Sequence, residues 1–247
     1  MPSVSQCLRF APAALVLTAL PGCVTTQQRN ARTVLINERT VASQTSVRVT
    51  RKNPYVAVTG VASVTASGTT AVAVQLRNRA THPLTDLPIS IGVRAAGGRR
   101  LYLNGHPDAD YFSTHIASIG PGETLTWVFT TRNARAHEGR LFAAVGIAKL
   151  PANTSQGTLP RITVAGGPPS PLGTSGHRLR VVVSNPSPTP QYQLQIYAAS
   201  LTGGRYVGAG RVSVASLDGG ARKTLDLTLV GSLAGAVRLF ATPTIFN

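Results

Sequence analysis

Acidic side chains are scarce in this chain. Eight Asp and Glu stand against 24 Lys and Arg in 247 residues, a formal net charge of +16. Carboxylate acid/base chemistry therefore has few groups to draw on. Cysteine is scarcer still. The only two, Cys7 and Cys23, lie near the N-terminus, so the rest of the chain holds no disulfide and no thiolate nucleophile. Long amphipathic helical patterns are missing after residue 30. So are a GxSxG elbow, a phosphate-binding glycine loop, a dinucleotide fingerprint, an HExxH helix and an EF-hand loop. These absences predict a protein that is not an enzyme and needs no cofactor. Lysine is rare too, at Lys52, Lys149 and Lys223, so nearly all the positive charge is arginine. Its spread along the chain leaves two readings open, attraction to an anionic partner or scattered solvated charge.

What the chain has is turn punctuation, with 24 glycines and 17 prolines. Between the turns, apolar residues alternate with polar ones. Leu179, Val181 and Val183 form one such run, and Tyr192, Leu194 and Ile196 the next, with Asn185-Pro186-Ser187-Pro188-Thr189-Pro190 between them. A period of two marks half-buried strands, and the prolines exclude a helix across the break. Gly203-Gly204 marks a hairpin turn before Tyr206 and Val207. Val212 and Val214 carry the pattern to Asp218-Gly219-Gly220, after which Leu225, Leu227 and Leu229 alternate with Thr224, Asp226 and Thr228.

An upstream stretch follows the same script. Val72, Val74 and Leu76 lead to Asn78 and Pro83, and Ile89, Ile91 and Val93 follow. Gly97-Gly98-Arg99 answers Gly203-Gly204-Arg205, and Ala117-Ser118-Ile119 answers Ala215-Ser216-Leu217. Leu125, Trp127 and Phe129 answer the leucines, which makes the single tryptophan a core filler. The pattern predicts a duplicated all-β chain, two consecutive immunoglobulin-like β-sandwich domains. The first spans 45–165 and the second 177–247. The Gly- and Pro-rich residues 166–176 read as a linker.

Residues 1–23 read as a secretion signal, with Arg9 ahead of a short apolar run too brief to span a bilayer. The run ends in Leu20-Pro21-Gly22-Cys23, which resembles the lipobox of bacterial lipoproteins. That resemblance implies lipidation at Cys23, export, and a membrane-anchored protein facing the periplasm or the cell surface. Residues 24–44 read as a basic tether, and the basic stretch runs on through Arg48, Arg51 and Lys52. A lipid chain plus basic charge is a two-signal membrane attachment.

The first copy differs from the second by an insertion before Ala117. It holds Tyr102, Asn104, His106, Asp108, Asp110, Tyr111 and His115. Imidazole, carboxylate and tyrosine in one loop could bind a metal, a glycan or another small ligand. A polar hairpin loop accounts for the same residues, and no metal site is assigned.

The second copy is similar to the FxLYD and CARDB classes of bacterial extracellular β-sandwich modules. The likeness rests on Val183-Ser184-Asn185, Leu194-Gln195-Ile196-Tyr197 and the run from Gly203 to Gly208, followed by the Asp218-Gly219-Gly220 turn. In the first copy, Pro121-Gly122-Glu123 resembles a turn of the same sandwiches. The resemblance implies an immunoglobulin-like fold and a non-catalytic envelope role. The expectation is thus an interaction or assembly module. Its partners would be the membrane, through the lipid anchor, and an envelope protein or anionic envelope polymer. No nucleic acid is expected, for want of any recognition motif. The alternative is ligand, glycan or metal binding through 102–115.

Overall fold

A computed structural model describes residues 48–105, 110–132, 139–148, 158–171 and 176–244. The leader, Cys23, most of the basic stretch, His106 and Asp108 lie outside the described residues. The fold is all-β. Its only helical elements among the described residues are single 3₁₀ turns at Ala96–Gly98 and Tyr111–Ser113.

The first unit is a sandwich of two sheets. Strands β1 (Val56–Ala66), β2 (Thr69–Asn78) and β6 (Thr124–Thr131) form one, in the order β1-β2-β6. In the other, β3 (Leu84–Arg94) pairs with β4 (Arg100–Tyr102), β5 (His115–Ile119) and β7 (Arg140–Val145). The alternation read from sequence puts Leu76, Ile89, Ile91, Leu125 and Trp127 between the sheets, and Ile116 joins them there, all essentially inaccessible. Each such side chain contributes about 1.5–3 kcal/mol relative to exposure.

The second unit is one six-stranded sheet folded on itself. Its strands are β8 (Thr163–Pro171), β9 (His177–Ser184), β10 (Gln191–Thr202), β11 (Arg205–Leu217), β12 (Arg222–Gly231) and β13 (Ala236–Thr242). The order is β13-β10-β11-β12-β9-β8. Strands β11 and β12 pair only at Gly208–Gly231 and Ala209–Val230. That corner lets β13-β10-β11 close over β12-β9-β8. Leu179, Val181, Leu194, Ile196, Val214 and Leu227 are buried between the halves.

The two units share one connection order, that of an immunoglobulin-type sandwich through its sixth strand. Sheet β1-β2-β6 corresponds to β8-β9-β12, and β7-β3-β4/β5 corresponds to β13-β10-β11. The match extends to single residues. Asn78 and Asn185, both fully buried, end β2 and follow β9. Asn78 Nδ2 donates to the carbonyls of His82, Ile119 and Gly120 at 3.0–3.1 Å. Asn185 Nδ2 donates to Thr189, Leu217 and Asp218 at 2.9–3.3 Å. Each Oδ1 accepts the N–H two residues on, from Ala80 and Ser187. Both copies also place one non-glycine residue at positive φ at the same repeat position, Asp86 at 54° and Gln193 at 51°. There the ladder skips a step, from Thr85–Ser118 to Leu87–Ile116 and from Tyr192–Ser216 to Leu194–Val214.

The stretch expected as a linker departs from expectation. Residues 163–171 are strand β8, in register with β9 from Thr163–Ser184 to Pro171–His177, with a shift between Gly166 and Pro169. Ile162 and Val164 pack on the second core, not the first. Proline breaks a central strand because it cannot donate to the ladder, but β8 is an edge strand, where that donor is dispensable. Residues 172–175 lie outside the described residues.

The units also pack on each other. Strand β2 is buried on both faces: Val72 and Val74 point into the first core, and Ala71 and Ala73 are equally inaccessible. Strands β11 and β12 pack against β1 and β2. Gly231 lies at this contact, which leaves no room for a side chain. Its φ is +93°, and a Cβ there would lie 2.3 Å from Val64 Cγ1.

Candidate functional site

The insertion interrupts one strand of the first unit. In the second unit that strand is the continuous β11. In the first it is split into β4 and β5, which pair with opposite ends of β3. Asn104 fills the gap. Its Oδ1 accepts from Ile91 N–H at 3.0 Å, and its Nδ2 donates to the carbonyls of Ile89 and Ser113 at 2.8 and 2.9 Å. A side-chain amide has the donor and acceptor of a peptide group. Asn104 therefore completes the ladder where backbone is missing, and it is 1% exposed.

Asp110 caps the Tyr111–Ser113 turn, accepting from Ser113 N–H at 2.7 Å and from Ser113 Oγ at 3.1 Å. The turn folds Tyr111 inward. Its ring stacks on His115 with centroids 4.0 Å apart and planes 4° from parallel. Its hydroxyl donates to Asp86 Oδ1 at 2.6 Å. His115 Nδ1 lies 3.0 Å from Thr114 Oγ1 and 3.3 Å from the Tyr111 carbonyl. Tyr102 sits apart, on the outer face of the sheet, edge-on to Phe142. The described candidates therefore do not converge on one point. Asn104 mends a strand, Asp110, Tyr111 and His115 build a packed turn, and Tyr102 faces away. Among the described residues no group of three or more His, Cys, Asp or Glu side chains could hold a metal ion.

The packed turn leads instead to the second unit. Arg211 of β11 makes an ion pair with Asp110 and donates to Ser113 Oγ at 2.8 Å. Nearby, Ser118 Oγ donates to the Pro243 carbonyl at 2.6 Å, and the hydroxyls of Thr126 and Tyr206 lie 3.2 Å apart. Tyr197, opposite Arg211 in the β10–β11 ladder, is fully buried and belongs to the first unit's core with Trp127. Burial pushes its hydroxyl pKa well above the ordinary tyrosine value; Arg211 opposes that shift. Trp127 Nε1, Tyr197 Oη and Arg211 Nη1 are all buried at this junction, and Thr242 and Trp127 also oppose the shift at the Tyr197 hydroxyl.

Sequence reasoning did not bring Arg211 to Asp110. The two are 101 positions apart, and no local pattern joins them. Asn104 carried a faint signal, since an Asn two residues past a strand end can replace a missing peptide as readily as bind a ligand.

No family model matches the chain, and no curated protein matches it by sequence. Among solved structures the chain is similar to a red sea bream transglutaminase, at 11% identity and a TM-score of 0.24. The match covers 79% of this chain and 29% of that one, and a likeness this low carries no argument about activity.

Proposed function

We propose that this chain is a non-catalytic module of the bacterial cell envelope, a lipoprotein anchored through Cys23 that presents two fused FxLYD/CARDB-like sandwiches to a protein partner. One observation carries the reading. The last strand of each unit, β7 and β13, is hydrogen-bonded along one edge only; among the described residues its other edge meets no strand beyond one bridge, Lys52–Gly146. In an immunoglobulin-type sandwich the next strand would pair there. An open edge is a template for a strand from another chain, which docks by main-chain hydrogen bonds. Strand β13 is the better candidate, because Ala236, Val237 and Arg238 are exposed and Val237 is a large apolar side chain at 36%.

Two experiments test this reading. A photo-cross-linking residue at Val237 should capture a discrete envelope protein, and the same residue at Asp218 should not. Equal capture at both positions, or none at Val237, would contradict it. A palmitate analogue supplied to cells should label the wild type and not Cys23→Ala. Label retained in the variant would reject the anchor.

A further inference from the structure

The outer face of the first unit carries a row of arginines that sequence order conceals. Arg94 of β3 lies directly opposite Arg100 of β4 on one side and Arg140 of β7 on the other. All three are exposed. At a strand spacing of about 4.8 Å, their backbones span roughly 10 Å of sheet. The next row on the same face is Tyr102–Gly92–Phe142. The two rings meet edge-to-face above Gly92, with centroids 5.7 Å apart and planes at 85°. Gly92 makes the closure possible, since a Cβ there would lie 2.8 Å from the Phe142 ring and 2.2 Å from the Leu101 carbonyl oxygen. The rings in turn seat cations: Arg100 lies over Phe142 at 5.8 Å and Arg48 over Tyr102 at 5.5 Å.

Like charges directly opposite each other destabilise a sheet. The ion pairs among the described residues use Asp110 and Asp226, and none includes Arg48, Arg94, Arg100 or Arg140. A row of guanidinium groups, with Arg100 of the row and the neighbouring Arg48 braced on aromatic rings, is thus unfavourable for the fold and well formed for an anion. Guanidinium matches phosphate oxygens bidentately.

We infer that the outer face of β4-β3-β7 is an electrostatic docking surface for a bilayer of anionic phospholipids. The face's exposed guanidinium groups complement the phosphates of anionic headgroups. Its aromatic rings carry guanidinium groups, so they offer no platform on which bases or sugars would stack. The described chain begins at Arg48 on this same face, and the residues before it include Arg29, Arg32 and Arg39 against Glu38 alone. The choice of a membrane rests on the reading of the chain as a membrane-held module; the anion-binding face does not.

The test uses the full 247-residue chain carrying Cys23→Ala, so that failure of the lipid anchor cannot masquerade as failure of the face. Binding to phosphatidylglycerol/phosphatidylcholine vesicles is compared with binding to phosphatidylcholine alone. Each basic group near an anionic surface is worth roughly fivefold in affinity, so Arg94→Gln/Arg100→Gln/Arg140→Gln should bind on the order of 100-fold more weakly. A control with the same charge change elsewhere, Arg161→Gln/Arg205→Gln/Lys223→Gln, should stay within about fivefold of the parent. Equal losses in both variants would reduce the effect to net charge and overturn the proposal. So would no preference of the parent for anionic vesicles, or equal or tighter binding to soluble polyphosphate. The platform variant should melt no lower than the parent, because repulsion has been relieved. A melt several degrees lower would assign the arginines to the fold and not to docking.

Discussion

The strand after the Gly-Gly turn separates the two units. In the second unit it is β11, a single strand from Arg205 to Leu217 that pairs with β10 from end to end apart from one register shift and one skipped step. In the first unit the same strand is broken by the insertion into β4 and β5, and Asn104 supplies the missing ladder bonds. The comparison teaches where a duplicated plan tolerates change. The buried asparagines at Asn78 and Asn185 keep the same partners in both copies, whereas the strand facing the other unit was opened to hold a packed turn. That turn makes the Asp110–Arg211 contact. Through Asp110 and Ser113 the described part of the insertion joins the sandwiches.

The largest expected effect tests the junction between the copies. Gly231→Ala places a Cβ 2.3 Å from Val64 Cγ1 and 2.5 Å from the Val207 carbonyl, at a φ of +93°. Left-handed strain adds to overpacking, and unfolding in urea should show a loss of at least about 3 kcal/mol. Val64→Ala should relieve only the clash with Val64, leaving the contact with the Val207 carbonyl and the backbone strain.

The repeat itself is tested next. Asn78→Ala and Asn185→Ala each leave buried carbonyls without donors, and each should lower stability by about 3 kcal/mol. Similar losses sharpen the comparison; a loss in one copy alone breaks it. Asn104→Ala should lower stability by about 2 kcal/mol, because Ile91 N–H and the Ile89 carbonyl lose their partners. The copy without an insertion has no counterpart to this residue.

Tyr197 gives a pH-dependent effect of known sign. Its pKa is raised in the folded state, chiefly by burial. The unfolded chain therefore gives up that proton first, and stability falls as pH rises above the ordinary tyrosine value of about 10. Tyr197→Phe should remove that part of the alkaline loss and should cost no more than about 1.5 kcal/mol at neutral pH, the worth of weak hydroxyl contacts with Thr242 and Trp127. Equilibrium unfolding at neutral pH and above pH 10 checks both halves.

The smallest effect is the clasp. Asp110 is 60% exposed at its side chain, which places the pair near the surface. Asp110→Asn should cost under about 1 kcal/mol, with the difference vanishing in high salt.

Much of the fold was legible because burial on one sheet face imposes a period of two. Val72-Val74-Leu76, Leu179-Val181-Val183 and Leu225-Leu227-Leu229 named their strands directly, and Gly203-Gly204 named its turn through the positive φ of both residues. Strand β8 was hidden by its prolines, which suit an edge strand as well as a linker. The site was less legible, because a polar side chain in a loop reads the same whether it binds a ligand or mends a ladder. Asn104, Tyr111 and His115 acquire their roles only from β3 and Asp86. The arginine row was invisible for a different reason. Arg94, Arg100 and Arg140 become neighbours through strand register, which spacing along the chain does not encode.

Differential scanning calorimetry of the full chain tests the account's central claim most directly, that two copies of one sandwich are fused into a single cooperative body. Tyr197 of one unit lies in the core of the other, and β2 is buried on both faces, so neither unit can unfold without exposing the other's apolar surface. The account predicts one transition with calorimetric and van't Hoff enthalpies in agreement, moved to lower temperature as a whole by Asn78→Ala and by Asn185→Ala alike. Two separate transitions, each answering to only one of these substitutions, would contradict it.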